Sequence, residues 1–297
     1  MNLPQVNKKF MSRILICGHR AYAARGLKKV LEKEGHMVME FSRGEVKREG
    51  NIITGPVFEM DKNPLFTEVI DVVVNFILLQ QGTAKENEDY MVALLNFCKL
   101  YSVKRLIQIS SISSYPNDAP LIKEDTPTEK RVELKGGYGI IKAAADNLLE
   151  MNKNKVPFDI IFVRPGYIVA PDNPHPYKGI AKFFGTKCAV LIGDKKATLP
   201  CINRDVLHEC LAEISVQEDP LDVYLLVEGE GGTKYSYFRT QSKAFVVPLP
   251  RWLFFFMADV AKMLHIFKER HVCMVKGAFK VNRFDNTLTK KRLKSLK

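Results

Sequence analysis

Tyr138 and Lys142 stand four residues apart in the segment Gly136-Gly137-Tyr138-Gly139-Ile140-Ile141-Lys142-Ala143-Ala144-Ala145, which reads as a helix. Positions i and i+4 share one helical face, so an ammonium would sit beside a phenol. A free tyrosine titrates near about 10, too high for acid–base work at neutral pH. A neighbouring cation favours the phenolate and lowers that value, which would fit the pair for proton transfer. An exposed Tyr/Lys pair with no chemistry has the same spacing. What gives this one weight is the hydroxyl cluster upstream, Ser110, Ser111, Ser113 and Ser114, where such chemistry needs a partner for the substrate oxygen.

The elements that must position these groups alternate. Arg13-Ile14-Leu15-Ile16-Cys17 is a strand ending at Gly18, and Ala21 to Glu34 has helical periodicity up to Gly35. Met37 to Phe41 is a second strand and Val57-Phe58-Glu59-Met60 a weaker third. Asp71 to Phe76 is a fourth, with the continuous β-branched run of a strand buried on both faces. A helix from about Asn87 to Tyr101 leads into a fifth strand, Arg105 to Ile109, and the Tyr138 helix precedes a sixth, Phe158 to Val163. Strand–helix alternation predicts an α/β fold, a doubly wound parallel sheet of Rossmann type with a smaller C-terminal substrate lobe.

In such a sheet the turn after the first strand faces a dinucleotide pyrophosphate. Here it reads Cys17-Gly18-His19-Arg20-Ala21-Tyr22-Ala23-Ala24, with Gly18 supplying the turn and Ala21 and Ala24 where further glycines would stand. Arg20 could neutralise a phosphate or face solvent. After the second strand an acid would hold the adenosine ribose of NAD, but the chain has Ser42-Arg43 with Lys47 and Arg48 nearby. A guanidinium there suits a 2′-phosphate, so the reading favours NADP(H) over NAD(H), with solvated loop charge as the plain alternative. Asp61 is placed to reach the adenine.

In order along the chain, these segments resemble an extended short-chain dehydrogenase/reductase of the NAD-dependent epimerase/dehydratase type. The resemblance is carried by Ile14 to Ala24, Asp71 to Phe76, Val103 to Tyr115, Tyr138 to Lys142, Arg164-Pro165-Gly166, Cys201 to Val206 and Phe284-Asp285-Asn286. It implies Ser111, four residues before Tyr115, as the group that orients and polarises the substrate oxygen, with Tyr138 exchanging the proton. It implies that Lys142 lowers the tyrosine pKa and holds the nicotinamide ribose. Gly18, Arg20, Ala21, Tyr22, Ser42, Arg43, Asp61, Asn75, Tyr138, Lys142 and Pro165 would line the cofactor. The implied activity is oxidation, reduction or epimerisation at a secondary alcohol or ketone of a nucleotide-sugar, as a ketosugar reductase or 4-epimerase. The neighbours of Ser111 are Ile112 and Ser113 rather than the acidic pair of a 4,6-dehydratase. Lys178, Lys182 and Lys187 are candidate partners for a diphosphate, with solvated charge as the equal alternative, and a homodimer through the helices flanking the sheet is implied. Three departures stand out: Ala21 and Ala24 in the turn, Asn75-Phe76-Ile77-Leu78 after the fourth strand, and Tyr167 where an asparagine is usual.

The whole chain sets bounds on this. It has 297 residues, 46% hydrophobic and 26% charged, which suits a globular protein with a substantial core. Six scattered cysteines without C-x-x-C spacing read as reduced thiols of a cytoplasmic protein. His208, Cys210 and Cys201 lack a fourth ligand at metal spacing, and His175 reads as a loop residue. The start of the chain has no apolar stretch of the kind that begins a secretory signal. Of the net +12, residues 268–297 carry +8, with ten Lys/Arg against two acids, so nucleic acid is not an expected partner. The expected organisation is an N-terminal extension over 1–12, a dinucleotide-binding portion over 13–165, a lobe over 166–267 with elements returning to the core, and a solvated basic tail over 268–297. Trp252 to Phe267 is too short for a membrane span, which needs about 20 apolar residues. Its narrow polar stripe predicts a helix that buries most of its circumference against the lobe, with an interfacial membrane contact as the other reading. Two alternatives to a nucleotide-sugar enzyme stay open: a dehydrogenase of a lipid-like alcohol at a membrane surface, and a non-catalytic, cofactor-sensing regulator.

Overall fold

The computed structural model describes residues 11–117, 119–172, 181–184 (backbone only), 188–191, 194–228, 233–236, 239, 245–248, 250–269, 271–272, 275 and 282–296. Strand β1 (Arg13–Cys17) ends in a turn at Gly18, and after a short 3-10 turn over Tyr22–Ala24 helix α1 (Leu27–Lys33) runs back. Next come β2 (Met37–Arg43), the hairpin β3 (Lys47–Glu49) and β4 (Ile52–Gly55), then β5 (Val72–Asn75). Helix α2 (Ala84–Leu100) starts at a capping box in which Thr83 and Glu86 satisfy each other's backbone N–H groups. Then follow β6 (Arg105–Ile109), the short β7 (Leu121–Ile122), α3 (Gly137–Asn152) and β8 (Asp159–Pro165). The lobe holds β9 (Tyr167–Val169), β10 (Ala181–Phe184), β11 (Cys188–Leu191) and β12 (Cys201–Asn203). Helix α4 (Arg204–Val216) and β13 (Val223–Leu226) return to the sheet; β14 (Phe245–Pro248), α5 (Arg251–Met263), β15 (Arg283–Phe284) and α6 (Thr287–Arg292) complete the described chain.

The central sheet has the order β13-β8-β6-β5-β1-β2-β4-β3, parallel except for the β3–β4 hairpin. The chain reverses its direction of travel between β1 and β5, so the crevice beyond their carboxyl ends is the binding position of such a sheet. Alternate residues of each strand feed opposite core layers, as a strand's period of two requires. Ile14, Ile16, Val72, Val74, Ile107 and Ile109 meet Leu27 and Leu31 of α1 and Leu207, Leu211 and Ile214 of α4. Leu15, Cys17, Val73, Leu106, Ile160 and Phe162 meet Tyr90, Leu94 and Phe97 of α2 and Ala145 and Leu149 of α3.

Several expectations change. The third strand is not at Val57–Met60: that stretch is a 3-10 turn, Val57–Lys62, whose buried Val57 and Met60 lie three apart and dip into the core. Pro56 precedes it, and the strands form instead on either side of Gly50, whose positive φ of 59° makes the hairpin turn. Helix α1 begins only at Leu27, because Gly26 adopts φ +102° and breaks the expected helical run from Ala21. The tail is not a solvated appendage. β15 pairs with β7, the Asn286 amide donates to the carbonyls of Leu225 (3.2 Å) and Val227 (2.7 Å), and Leu293 and Leu296 are buried beside α1 and α4. Nor does α5 bury most of its circumference. Trp252, Phe256, Met257 and Met263 are exposed, and Ala258 alone of this helix is buried.

Candidate functional site

The chemistry-bearing residues converge where the carboxyl ends of β1, β5, β6 and β8 meet the lobe. Ser111 follows β6 directly and caps a 3-10 turn over Ile112–Ser114, its Oγ accepting from the Ser113 amide at 3.1 Å. Tyr138 and Lys142 sit in the first turns of α3. With Ala21, Tyr22, Pro165 and Tyr167 these groups line one cleft of about 680 Å³, a size suited to a small-molecule ligand. Its far wall is Ala197, Thr198, Lys234, Asn282 and Phe284, so both lobe and C-terminal segment help close it.

Tyr138 is half-exposed as a residue, yet its hydroxyl is drawn into the protein, and that desolvation pushes the phenol above its ordinary range. Ser111 is the group opposing the shift. The sequence reading expected the reverse, a phenol lowered by Lys142. In the structure the Lys142 ammonium donates instead to the Ile109 carbonyl at 2.6 Å, and burial lowers its own pKa to about 8.

One turn further along α3, Asp146 is fully buried and accepts from the Ser110 Oγ at 2.5 Å and the Arg164 Nε at 3.3 Å. Ser110 shares a hydrogen bond of 2.9 Å with Ser114. Burial holds the Asp146 carboxyl above the usual carboxylate range, against the pull of Arg164. Arg164 also stacks over the rings of Tyr115 and Phe162. This network ties the serine turn, α3 and β8 together, and sequence reasoning missed it: an acid four residues beyond Lys142 looks like any helix-surface charge until the topology buries it. Missed likewise was buried Lys135, whose ammonium donates to the Tyr115 carbonyl (2.5 Å) and the Asn117 side chain (3.0 Å), pinning the loop after the serines.

At the other end the turn of β1 is tightly bound. Gly18 has φ +83°, and a Cβ there would lie 2.9 Å from Ile77 Cγ1. Helix α4 braces this turn. His208 Nε2 bonds the Ala23 carbonyl at 2.8 Å, Arg204 stacks on Tyr22, and burial lowers the His208 pKa. Among the described residues no three His, Cys, Asp or Glu side chains converge as a metal site.

The remaining cofactor candidates separate. Arg20 and Arg43 line a shallow basin beyond the β1 and β2 ends with Lys47 and Thr54, together with Glu45 and Glu49. The Ser42 Oγ and the His19 Nδ1 are buried without a protein partner. These two orphaned polar atoms and the glycine-only turn fit a dinucleotide laid across the strand ends. Asn75 is not in the cleft: its amide donates to Gln108 and accepts from Tyr90, both at 2.7 Å, and from the Ile77 amide. That amide anchors the end of β5 in the core. Asp61 lies on the 3-10 turn beside buried Met60, outside both depressions. Lys178, Lys187, His175 and the side chain of Lys182 lie outside the described residues.

Residues 14–187 match the model of the NAD dependent epimerase/dehydratase family. No curated protein sequence matches the chain. Among solved structures, a short-chain dehydrogenase/reductase superfamily protein of Agrobacterium tumefaciens with bound NAD superposes with a TM-score of 0.67 at 12% identity, over 95% of this chain and 91% of that one. WbmG of Bordetella bronchiseptica, in complex with NAD and UDP, gives 0.65 at 16% identity over 97% and 89%. The UDP-glucuronic acid 4-epimerase of Bacillus cereus, in complex with UDP-glucuronic acid and NAD, gives 0.66 at 15% identity over 95% and 93%. At these identities the likeness is one of fold.

Proposed function

Because the chain belongs to the NAD dependent epimerase/dehydratase family, we propose that it is an NADP(H)-dependent oxidoreductase or epimerase acting at a secondary alcohol or ketone of a nucleotide-sugar. A ketosugar reductase or 4-epimerase fits best. The observation that carries this reading is the meeting of Ser111, Tyr138 and Lys142 in one cleft at the carboxyl ends of the strands.

In this reading Ser111 orients and polarises the substrate oxygen, and Tyr138 exchanges a proton with it. The raised phenol keeps its proton in the ligand-free protein, which suits donation to a carbonyl oxygen and hence the reductive direction. Lys142, held at the end of β6, supplies positive charge beside a phenolate and hydroxyl-binding capacity toward a ribose. When bound, the nicotinamide supplies the hydride carrier that no side chain here can replace. Gly18, Ala21, Tyr22 and Pro165 would pack along the dinucleotide, with Arg20, Ser42 and Arg43 at its adenosine end. Lys234, on the far wall and lowered in pKa by burial, is the described cation best placed for a substrate diphosphate. No acid adjoins Ser111, which argues against a 4,6-elimination. A cytoplasmic homodimer through the outer faces of α2 and α3, where Val92 and Leu100 are exposed, belongs to the same reading.

Tyr138→Phe tests it. With UDP- and dTDP-ketosugars and NADPH as substrates, the variant should lose turnover by about 10²–10⁴-fold while its NADPH fluorescence titration stays unchanged. Undiminished turnover in Tyr138→Phe would sink the mechanism.

A further inference from the structure

Helix α5 turns its apolar side outward. Trp252, Phe256, Val260 and Met263 fall at i, i+4, i+8 and i+11, one stripe along the helix. Trp252 is 69% exposed, Phe256 63% and Met263 70%, and exposed Leu264 and Ile266 extend the apolar surface past the last turn. The opposite side holds buried Ala258 and half-buried Phe254 and Phe255. A single exposed leucine needs no explanation, but aromatic residues in a continuous stripe mark a surface built to be covered.

The charges around the stripe choose what covers it. Arg251 and Lys262 are exposed on the flank beside Ala258, exposed Asp259 lies within the stripe seven residues after Trp252, and exposed Lys268 follows the last turn. From 251 to 280 the chain carries six Lys/Arg (251, 262, 268, 270, 276 and 280) against two acids, Asp259 and Glu269. A second copy would bring like charges face to face. No described helix is long and apolar enough to cross a bilayer. An apolar stripe interrupted by one acid, in a segment with six Lys/Arg against two acids and on a chain of net charge +12, fits a helix lying in the interface of an anionic bilayer.

We propose that α5 docks this protein on anionic phospholipid surfaces, with Trp252, Phe256 and Met263 entering the headgroup–acyl boundary. This stands independently of the reaction at the cleft.

The chain's single tryptophan lies in the stripe, so it reports its own docking. The full-length protein is mixed with vesicles of phosphatidylcholine alone or with phosphatidylglycerol added, following Trp252 emission and co-sedimentation. The expected result is a blue shift and sedimentation with the anionic vesicles only, weakened by high salt. Phe256→Glu/Met263→Glu should weaken partitioning by at least about tenfold, and Arg251→Gln/Lys262→Gln/Lys268→Gln should remove the preference for anionic lipid. These positions are exposed, and an unchanged thermal unfolding midpoint confirms that each variant is folded. Unmoved emission, equal sedimentation of the variants, or equal binding to neutral vesicles would overturn the proposal. So would a lipid-independent dimer that shields Trp252, since the cover would then be a second copy.

Discussion

Lys142 is held against two opposing demands. Its buried ammonium donates to the Ile109 carbonyl at 2.6 Å, and desolvation lowers its pKa from 10.5 to about 8. Below about pH 8 both folded and unfolded chains carry the proton, and the folded one bears the cost of burying it. Between about 8 and 10.5 the folded protein has released the proton while the unfolded chain keeps it, so stability rises with pH through that window. Relative to Lys142→Met, the wild type should therefore gain roughly 2–4 kcal/mol of unfolding free energy from about pH 7 to about pH 11, measured by urea denaturation. A flat difference would mean the ammonium is solvated. Asp146 makes a sharper case, since its removal takes away the buried carboxylate facing Arg164 and leaves that guanidinium only the partly exposed Glu150, at 3.3 Å. Asp146→Ala should cost about 3–5 kcal/mol, and urea midpoints check it. Neither role could be read beforehand. The i, i+4 spacing identified Tyr138 and Lys142, but whether burial or mutual charge sets the phenol depends on the carbonyl at the end of β6, which spacing does not reveal.

The second strand's end is where elements decide the cofactor. β2 delivers Arg43 to a basin that Arg20 enters from the turn after β1 and Lys47 from β3, with the buried Ser42 Oγ one residue back. Glu45 and Glu49 share that basin, and Lys47 pairs with Glu49, so Arg20 and Arg43 are left as its main cations. On the proposed reading NADPH binds at least about tenfold more tightly than NADH, and Arg43→Ala removes that margin, as competitive fluorescence titrations would show. Equal affinities would reassign Arg43 to solvent. The parallel strands were legible because Val72-Val73-Val74 and Leu106-Ile107 are continuous apolar runs that only two-sided burial explains. Val57–Met60 misled because an apolar run of four has no period of its own. Its spacing of three between buried residues emerges only once Pro56 and the Gly50 hairpin have used the preceding residues as strands. Trp252–Phe267 misled in the opposite way: composition says that apolar residues want cover, but not whether the same chain provides it.

On the scale of the molecule, the family's core and the C-terminal segment form one body. Lysines and arginines fill four of the five positions 290–294, and that density hid two leucines, Leu293 and Leu296, that complete the layer between α1 and α4. Leu293→Ala should cost about 2–5 kcal/mol, as other large-to-small core changes do, and should lower one cooperative unfolding transition rather than produce a second. Two separate transitions would show that the segment folds apart from the sheet. Because Asn282 and Phe284 also line the cleft, the same change should loosen substrate binding.

That late closure puts a clock into synthesis. β13 ends at Leu226 and awaits Leu293, 67 residues later. At roughly 5–20 residues per second, the ribosome leaves the layer between α1 and α4 open for about 3–13 seconds. During that interval the nascent chain presents an apolar groove, with its catalytic candidates made but one wall of their cleft still missing.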